Sequence, residues 1–218
     1  MGQPESGNVR AVILDYGEVL SHPPGANEWT RMASSFQVDV DTFRSLWSRK
    51  RLQYDRGDLS LETYWLDLAE ATRSTLRAEQ IRQLSEWDVE MWGHINPIML
   101  EWLKQLRSSG LKTGLLSNMP LDMILYVRKR MAWLDQFNHL TFSAEVKLVK
   151  PDPAIYQHSL DGLGVTPAEV IFVDDKEVNI QSARALGISA IRFQSVTQLA
   201  RDLKALAFRI LPDGSKPF

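Results

Sequence analysis

Apolar residues follow two different periods along this chain. Residues Val9 to Leu14 form a short apolar run rich in β-branched side chains, and the run ends at Asp15. Such a run, without polar alternation, is typical of a strand buried on both faces of a parallel sheet. Gly17 and the Pro23-Pro24-Gly25 segment then break the pattern, so a loop is predicted after this first strand.

Between about Asn27 and Trp92 the apolar residues recur at helical spacing, and no strand pattern is convincing. Asp41 and Ser60 are the predicted N-caps of two of the helices. Five of the seven tryptophans lie in this block if its last residue is counted, and we expect them to form its core. The block therefore predicts a small helical bundle.

Helices and strands alternate after Asn96. The predicted strands are Lys112 to Ser117, His139 to Ser143, Val170 to Asp174 and Ile188 to Phe193. The predicted helices are Pro97 to about Gly110, Leu121 to Arg130, Pro153 to about Gly164, Val178 to Leu186 and Val196 to Phe208. This alternation predicts an α/β fold with a doubly wound parallel sheet.

The helical bundle interrupts the sheet domain after its first strand. Residues 1–21 and 94–218 are predicted to form the α/β core, and residues 22–93 to form the inserted bundle. An insertion at this point lies over the carboxyl ends of the strands, where open α/β sheets bind ligands. The bundle is therefore predicted to be a lid, or cap.

Bulk composition narrows the classes of partner. The 218 residues are 44% hydrophobic and 24% charged, with a net charge of -2, which gives no reason to expect nucleic acid or an anionic membrane as partner. No apolar run approaches the roughly 18 residues of a membrane span. Cysteine is absent, which excludes disulfides and thiolate sites, and Met1 to Ser6 lack the features of a secretory signal. We predict a cytoplasmic protein; the oligomeric state is left open.

Polar residues follow three of the predicted strands. They are Asp15, then Ser117-Asn118, then Asp174-Asp175. Taken singly, each is typical of a turn or a helix cap. Because the carboxyl ends of parallel strands meet at one edge of a sheet, we expect these side chains to converge on one crevice.

These residues and Lys150 occur in the same order as the four sequence motifs of the haloacid dehalogenase superfamily. From about Val9 to Phe193, the chain resembles the members of that superfamily. The four motifs are Val12 to Val19, Leu115 to Asn118, Lys150-Pro151 with Pro153, and Ile171 to Asp175. The resemblance implies a Rossmann-like core with a helical cap of the C1 type. Within the superfamily, the chain is similar to the glucose-1-phosphate phosphatase branch.

The resemblance also implies a Mg²⁺-dependent phosphatase that acts on a small phosphorylated metabolite. Asp15, Ser117 and Lys150 would be catalytic, with the Asp15 carboxylate as the nucleophile that forms an aspartyl-phosphate. Ser117, Asn118 and Lys150 would hold the phosphoryl group. The metal ligands would be Asp15, the main-chain carbonyl of Gly17, Asp174 and Asp175, since Mg²⁺ prefers oxygen ligands.

Gly17 departs from the superfamily pattern, because most of its phosphatases carry there an aspartate that protonates the leaving oxygen. Such acid-base help is typically worth about 10²–10⁴-fold. Three interpretations stay open: the leaving group departs readily, as in a sugar 1-phosphate; Glu18 replaces the missing acid; or catalysis is vestigial. Lys176 and Asn179, which follow the acidic pair, are expected at solvated helix positions.

Two rival functions also stay open. The first is a non-catalytic binding or regulatory protein with the same fold. The second is a 2-haloacid dehalogenase, because the segment from Leu46 to Tyr54, with Arg49 and Arg51, resembles the cap of those enzymes. The acidic pair Asp174-Asp175 disfavours the dehalogenase, since it would repel an anionic substrate in a metal-free site.

Overall fold

The computed structural model describes residues 9–213, so the predicted absence of a signal in Met1 to Ser6 lies outside the described residues. Five strands form one sheet in the order β3-β2-β1-β4-β5, and every neighbouring pair is parallel. The strands are β1 (Ala11–Leu14), β2 (Lys112–Ser117), β3 (His139–Phe142), β4 (Val170–Asp174) and β5 (Ser189–Arg192). The predicted doubly wound α/β sheet is thereby confirmed.

Five helices fill the segment between β1 and the rest of the sheet. They are α1 (Ala26–Ser34), α2 (Val40–Arg49), α3 (Arg51–Asp55), α4 (Leu61–Thr72) and α5 (Ala78–Glu90). We call these five helices the insertion. They enclose their own apolar cluster, in which Trp29, Phe43 and Trp65 are buried.

Two of the insertion helices, α2 and α4, begin at polar caps whose side chains accept from a main-chain N–H of the first turn. The predicted cap at Ser60 is confirmed, because its hydroxyl accepts a hydrogen bond from the Thr63 N–H. The predicted cap at Asp41 is wrong: Asp39 caps α2 instead and accepts from the Thr42 N–H at 2.8 Å. Asp41 lies inside the first turn, where a carboxylate still favours the helix dipole.

Six more helices follow the insertion. They are α6 (Pro97–Ser108), α7 (Leu121–Arg130), α8 (Ser143–Val146), α9 (Pro153–Leu163), α10 (Glu177–Ala185) and α11 (Val196–Ala205). Apolar clusters cover the sheet on both faces. Val12 and Leu14 of β1 pack on one face with α6, α7 and α11, while Ala11 and Ile13 pack on the other with α9 and α10.

The chain leaves and re-enters the sheet domain at one place. Ser21 and Ile95 form an isolated antiparallel bridge, and the His22 N–H donates to the His94 carbonyl at 2.7 Å. The division at residues 21/22 and 93/94 stays a prediction. Among residues 9–213, no helix has both the length and the apolar character that crossing a bilayer requires.

Candidate active site

The carboxyl ends of three neighbouring strands form the floor of the site. β1 lies between β2 and β4, and Leu14 is in register with both Leu115 and Val173. The residue after Leu14, Asp15, donates its main-chain N–H to the Val173 carbonyl at 3.0 Å. The parallel register therefore brings Asp15 next to Asp174 at the edge of the sheet.

Lys150 forms an ion pair with each of these two carboxylates. Its ammonium lies 2.8 Å from Asp15 Oδ1 and 2.7 Å from Asp174 Oδ2, and it also donates to the Leu116 carbonyl at 2.9 Å. Lys150 is 2% exposed. Burial opposes its charge, but the two carboxylates outweigh burial and raise the pKa of Lys150. All three donors of the ammonium are thus engaged by the protein.

Asn118 holds the main chain of Lys150. Its side-chain NH₂ donates to the Lys150 carbonyl at 2.9 Å, and its side-chain oxygen accepts from the Lys150 N–H at 2.8 Å. Both polar groups of the amide are therefore engaged with Lys150, although the residue also lines the crevice. This pairing fixes the main chain of Lys150 next to the end of β2.

The expectation that Asn179 lies at a solvated helix position is wrong. It is 3% exposed, and its NH₂ group lies 2.9 and 3.0 Å from the two Asp174 oxygens. Lys176 is exposed as expected, but its main-chain N–H donates to Asp174 Oδ1 at 2.8 Å. Burial would raise the pKa of Asp174, and the charge of Lys150 together with these hydrogen bonds lowers it overall. Asp174 is therefore held ionised.

Three carboxylates crowd this edge of the sheet. One oxygen from each of Asp15, Asp174 and Asp175 lies within 4.8 Å of the other two. Burial, reinforced by the charges of Asp174 and Asp175, raises the pKa of Asp15 to about 7. Burial and the neighbouring Asp174 raise the pKa of Asp175 to about 6. One buried lysine thus balances three acidic groups, and a hard divalent cation with oxygen ligands fits the remaining negative charge.

The chain after Asp15 turns irregularly over the carboxylates. The helical turn Tyr16–Leu20 is interrupted at Gly17 and at Glu18, whose φ of 58° lies in the left-handed region. Gly17 itself has a φ of -64°, so a side chain is compatible with its backbone. A Cβ built at Gly17 would lie 3.5 Å from the ring of Trp92, which is ordinary contact.

The sequence-predicted residues Asp15, Gly17, Ser117, Lys150 and Asp175 line one crevice of 410 Å³. Ser117 is 3% exposed, and its hydroxyl forms no hydrogen bond within residues 9–213. It is thus a free polar group at the end of β2. The predicted convergence of the strand ends accounts for this arrangement.

The insertion forms the opposite wall of the crevice. Trp47, Arg51, Leu52 and Asp55 line it from α2 and α3, although sequence reasoning assigned the tryptophans to the core of the bundle. Arg51 is not free to bind an anion, since it donates to Asp55 at 2.8 Å and to Asp88 at 2.7 Å. Burial disfavours the Arg51 charge, but the two carboxylates raise the pKa of its guanidinium.

Comparison with known proteins places the chain in a family. The model of the haloacid dehalogenase-like hydrolases matches residues 9–187. The chain is 28% identical over 195 residues to (S)-2-haloacid dehalogenase 4A of Burkholderia cepacia. That alignment covers 85% of this chain and 83% of the dehalogenase. The chain is 33% identical over 217 residues to acyl-CoA dehydrogenase family member 10 of Mus musculus, which covers 90% of this chain but only 19% of that protein.

A solved structure shares the fold. The HAD family enzyme bt-2542 of Bacteroides thetaiotaomicron, in complex with magnesium and inorganic phosphate, superimposes with a TM-score of 0.68 at 23% identity. The match covers 85% of this chain and 94% of that one. A likeness at this identity bears on the fold alone, but the family model spans most of the chain, from β1 to the end of α10. The chain belongs to the haloacid dehalogenase-like hydrolase family.

Proposed function

We propose that this protein is a phosphatase that hydrolyses a small phosphorylated metabolite through an aspartyl-phosphate on Asp15. The observation that carries the proposal is the buried triad of Asp15, Lys150 and Asp174, with ion-pair distances of 2.8 and 2.7 Å. A carboxylate held against a buried lysine at a crevice floor is oriented toward a bound phosphoryl group.

The crevice supplies both steps of the reaction. Asp15 Oδ1 accepts from the Tyr16 N–H and pairs with Lys150, so Oδ2 is the oxygen left to attack phosphorus. The bond from Oδ2 to phosphorus forms as the bond to the leaving oxygen breaks, and that oxygen departs with its electron pair and takes a proton from water. Water then attacks the aspartyl-phosphate and releases inorganic phosphate, which restores the carboxylate.

Ser117 and Lys150 hold the charge that the phosphoryl group carries. The Ser117 hydroxyl donates to a phosphoryl oxygen, and Lys150 offsets negative charge on Asp15 as the new bond forms. Asn118 acts through Lys150, whose main chain it grips at 2.8 and 2.9 Å, rather than through the phosphate. We propose this positioning role for Asn118 in place of direct phosphate binding.

Asp15, Asp174 and Asp175 are the proposed ligands of Mg²⁺, together with the carbonyl of Gly17. Their clustered oxygens and the raised pKa values of Asp15 and Asp175 support a divalent cation there. When bound, Mg²⁺ would shield the phosphate charge that otherwise repels a carboxylate nucleophile. The related bt-2542 fold was solved with magnesium and inorganic phosphate, which is consistent with such a site.

A 2-haloacid dehalogenase is the second candidate, favoured by the likeness to dehalogenase 4A over 83% of that protein's length. Two features of the site disfavour it. Three acidic groups would repel a haloacid carboxylate, and Arg51, which lines the crevice, is already neutralised by Asp55 and Asp88. We therefore rank the phosphatase first.

Phosphate and halide release decide between the candidates. The purified protein is assayed with sugar 1-phosphates, sugar 6-phosphates, nucleotides and an aryl phosphate, in Mg²⁺ and in EDTA, and separately with 2-chloropropionate. We expect phosphate release that requires Mg²⁺, and no chloride. Chloride release in EDTA would support the dehalogenase, and binding of phosphate without turnover of any ester would support a non-catalytic protein.

A further inference from the structure

The crevice walls beyond the carboxylates are apolar. The apolar residues that line it come from both the insertion and the core: Trp47, Leu52, Trp92, Met119, Met123 and Val178. Leu52 and Val178 are 52% and 54% exposed at its edge, so both leave apolar surface open to a ligand there. An apolar lining of this kind matches an apolar portion of a substrate.

An aromatic ring stands beside the nucleophile. The Trp92 ring lies 3.5 Å from where a Cβ of Gly17 would be, two residues after Asp15. Trp92 packs against the apolar clusters of both the core and the insertion, so its ring is held in place. The part of the substrate attached to phosphorus therefore meets an indole ring close to Asp15, in a contact that favours another ring.

Apart from Ser117 and the carboxylates assigned to the phosphate and the metal, the polar side chains inside the crevice are already engaged. Asn118 is bonded to Lys150, Asn179 to Asp174, and Arg51 to Asp55. The Ser48 hydroxyl also donates to a main-chain carbonyl of its own helix. A sugar needs several partners for its hydroxyl groups, and groups that lose water without finding a partner cost binding free energy.

Glu18 and Lys176 are exposed at the rim, where they stay in contact with water. Gly17 provides no acid to protonate the leaving oxygen. A phenol, with a pKa of about 10 as in tyrosine, leaves as an anion far more readily than an aliphatic alcohol, whose pKa is closer to that of water, about 15.7.

The apolar walls, the engaged polar groups and the missing acid together favour one class of substrate. We infer that the phosphatase proposed above acts on a phosphorylated phenol, an aryl phosphate whose ring packs between Trp92 and the wall formed by Trp47 and Leu52. In the first step the Asp15 carboxylate bonds to phosphorus, and the aryl oxygen leaves with its electron pair as phenolate, which takes a proton from water. The inference rests on the proposed function.

The first experiment compares leaving groups of different polarity with the wild-type protein in Mg²⁺. The substrates are 2-naphthyl phosphate, phenyl phosphate, octyl phosphate and glucose 1-phosphate. The additional ring of naphthyl over phenyl buries more apolar area at similar leaving-group pKa, so its kcat/KM is expected to be about fivefold higher. A higher kcat/KM for glucose 1-phosphate or octyl phosphate than for 2-naphthyl phosphate would overturn the inference.

The second experiment alters the apolar edge without disturbing the fold. Leu52→Ser and Val178→Ser change half-exposed side chains on the crevice, and Leu125→Ser is the matched control, since Leu125 is 61% exposed and is not among the lining residues. We expect Leu52→Ser and Val178→Ser each to raise KM for 2-naphthyl phosphate by roughly threefold, with little change for glucose 1-phosphate. Equal effects from Leu125→Ser, or no effect from either crevice variant, would contradict the inference.

A binding measurement separates this inference from the proposed function. 2-Naphthylmethylphosphonate, which cannot be hydrolysed at a P–O–aryl bond, is titrated calorimetrically in Mg²⁺ against methylphosphonate. Binding of the naphthyl compound at least tenfold tighter supports the apolar subsite even if no ester is turned over, in which case only the catalytic proposal fails. Equal affinities overturn the aryl inference whatever the turnover.

Discussion

The phenol of Tyr54, on the insertion, donates a hydrogen bond of 2.8 Å to the carboxylate of Asp122, on α7 of the core. The other oxygen of Asp122 accepts from the Ser85 hydroxyl at 2.7 Å. One core carboxylate thus joins two insertion helices, α3 and α5, to the core. Burial, together with the charge of Asp122, raises the pKa of Tyr54, so the phenol remains a donor across the working pH range.

Asp122→Ala is therefore expected to loosen the insertion. Two partly buried hydroxyl groups lose their acceptor, at a cost of about 1–3 kcal/mol in the free energy of unfolding. Hydrogen exchange in α3 and α5 should accelerate, and KM should rise as the crevice opens. Asp122→Asn keeps an acceptor oxygen, so its exchange rates and KM should lie between those of the wild type and Asp122→Ala. Unchanged hydrogen exchange in both helices of Asp122→Ala would show that Asp122 does not hold the insertion to the core.

Asn118→Ala tests the positioning of Lys150. Removing the amide deprives the lysine main chain of two hydrogen bonds, so we expect kcat to fall by roughly 10- to 100-fold while KM changes little. Ser182→Ala is the matched control, because the Ser182 hydroxyl donates to the neighbouring Pro151 carbonyl and does not touch Lys150. Should Ser182→Ala reduce kcat as strongly, the loss would reflect general loosening of the loop and not the grip on Lys150.

Replacing Asp15, the proposed nucleophile, should abolish turnover and leave the fold intact. Asn can occupy the space of Asp15 and still accept from the Tyr16 N–H, but its amide cannot form a stable ester with phosphorus. We expect phosphate release by Asp15→Asn to fall by roughly 10⁴-fold or more, measured at saturating substrate with Mg²⁺. Activity within tenfold of the wild type would exclude the aspartyl-phosphate.

Several elements could be predicted residue by residue because their signals are local. The bounds of β2, β4 and α7 match the prediction, since Asn118 follows β2, Asp175 follows β4 and Pro120 precedes α7. The convergence of Asp15, Ser117 and Asp174 also followed from sequence, because parallel strands align their carboxyl ends. The predicted end of β3 at Ser143 is wrong: β3 ends at Phe142, and Ser143 begins α8. The apolar pattern cannot fix the end of an element to a single residue.

Contacts between segments that are distant along the chain could not be predicted from the sequence. Asn179 turns back over the end of β4, and its helical spacing alone did not distinguish this buried position from a solvated one. Trp47 and Trp92 have the period of core residues, yet they line the crevice, because the insertion presents part of its apolar surface to the core. The carboxylate of Asp122 gave no signal either, since its partners are 68 and 37 residues away.

The acidic cluster predicts an unusual pH dependence of stability. The pKa values of Asp15 and Asp175 are about 7 and about 6 in the folded protein, against the ordinary 3.8. Between these limits the folded protein binds more protons than the unfolded chain, so its stability falls as pH rises from about 4 to about 7. Mg²⁺ at the proposed site should reverse this loss, since it would bind the ionised carboxylates of the folded state.

Thermal melts test this prediction. In EDTA, Tm is expected to fall between pH 5 and pH 8, and Asp15→Asn should show a shallower fall because one of the two titrating groups is gone. Mg²⁺ should raise Tm more at pH 8 than at pH 5. If Asp15→Asn has the same slope as the wild type in EDTA, the raised pKa of Asp15 is not the cause.

Gly17→Asp should supply a general acid next to the proposed nucleophile, Asp15. The backbone at residue 17 admits a side chain, and its Cβ would touch the Trp92 ring at 3.5 Å without overlap. Protonation helps most when the departing oxygen is a strong base, so kcat for octyl phosphate should rise by about 10²-fold, within the usual range for general acids, and kcat for phenyl phosphate far less. Gly17→Asn, which has the same size but no proton to transfer, is the control and should accelerate neither substrate. Equal acceleration of both esters by Gly17→Asp would mean that the carboxylate acts in some other way, for example by strengthening metal binding, and that the glycine does not explain a preference for ready leaving groups.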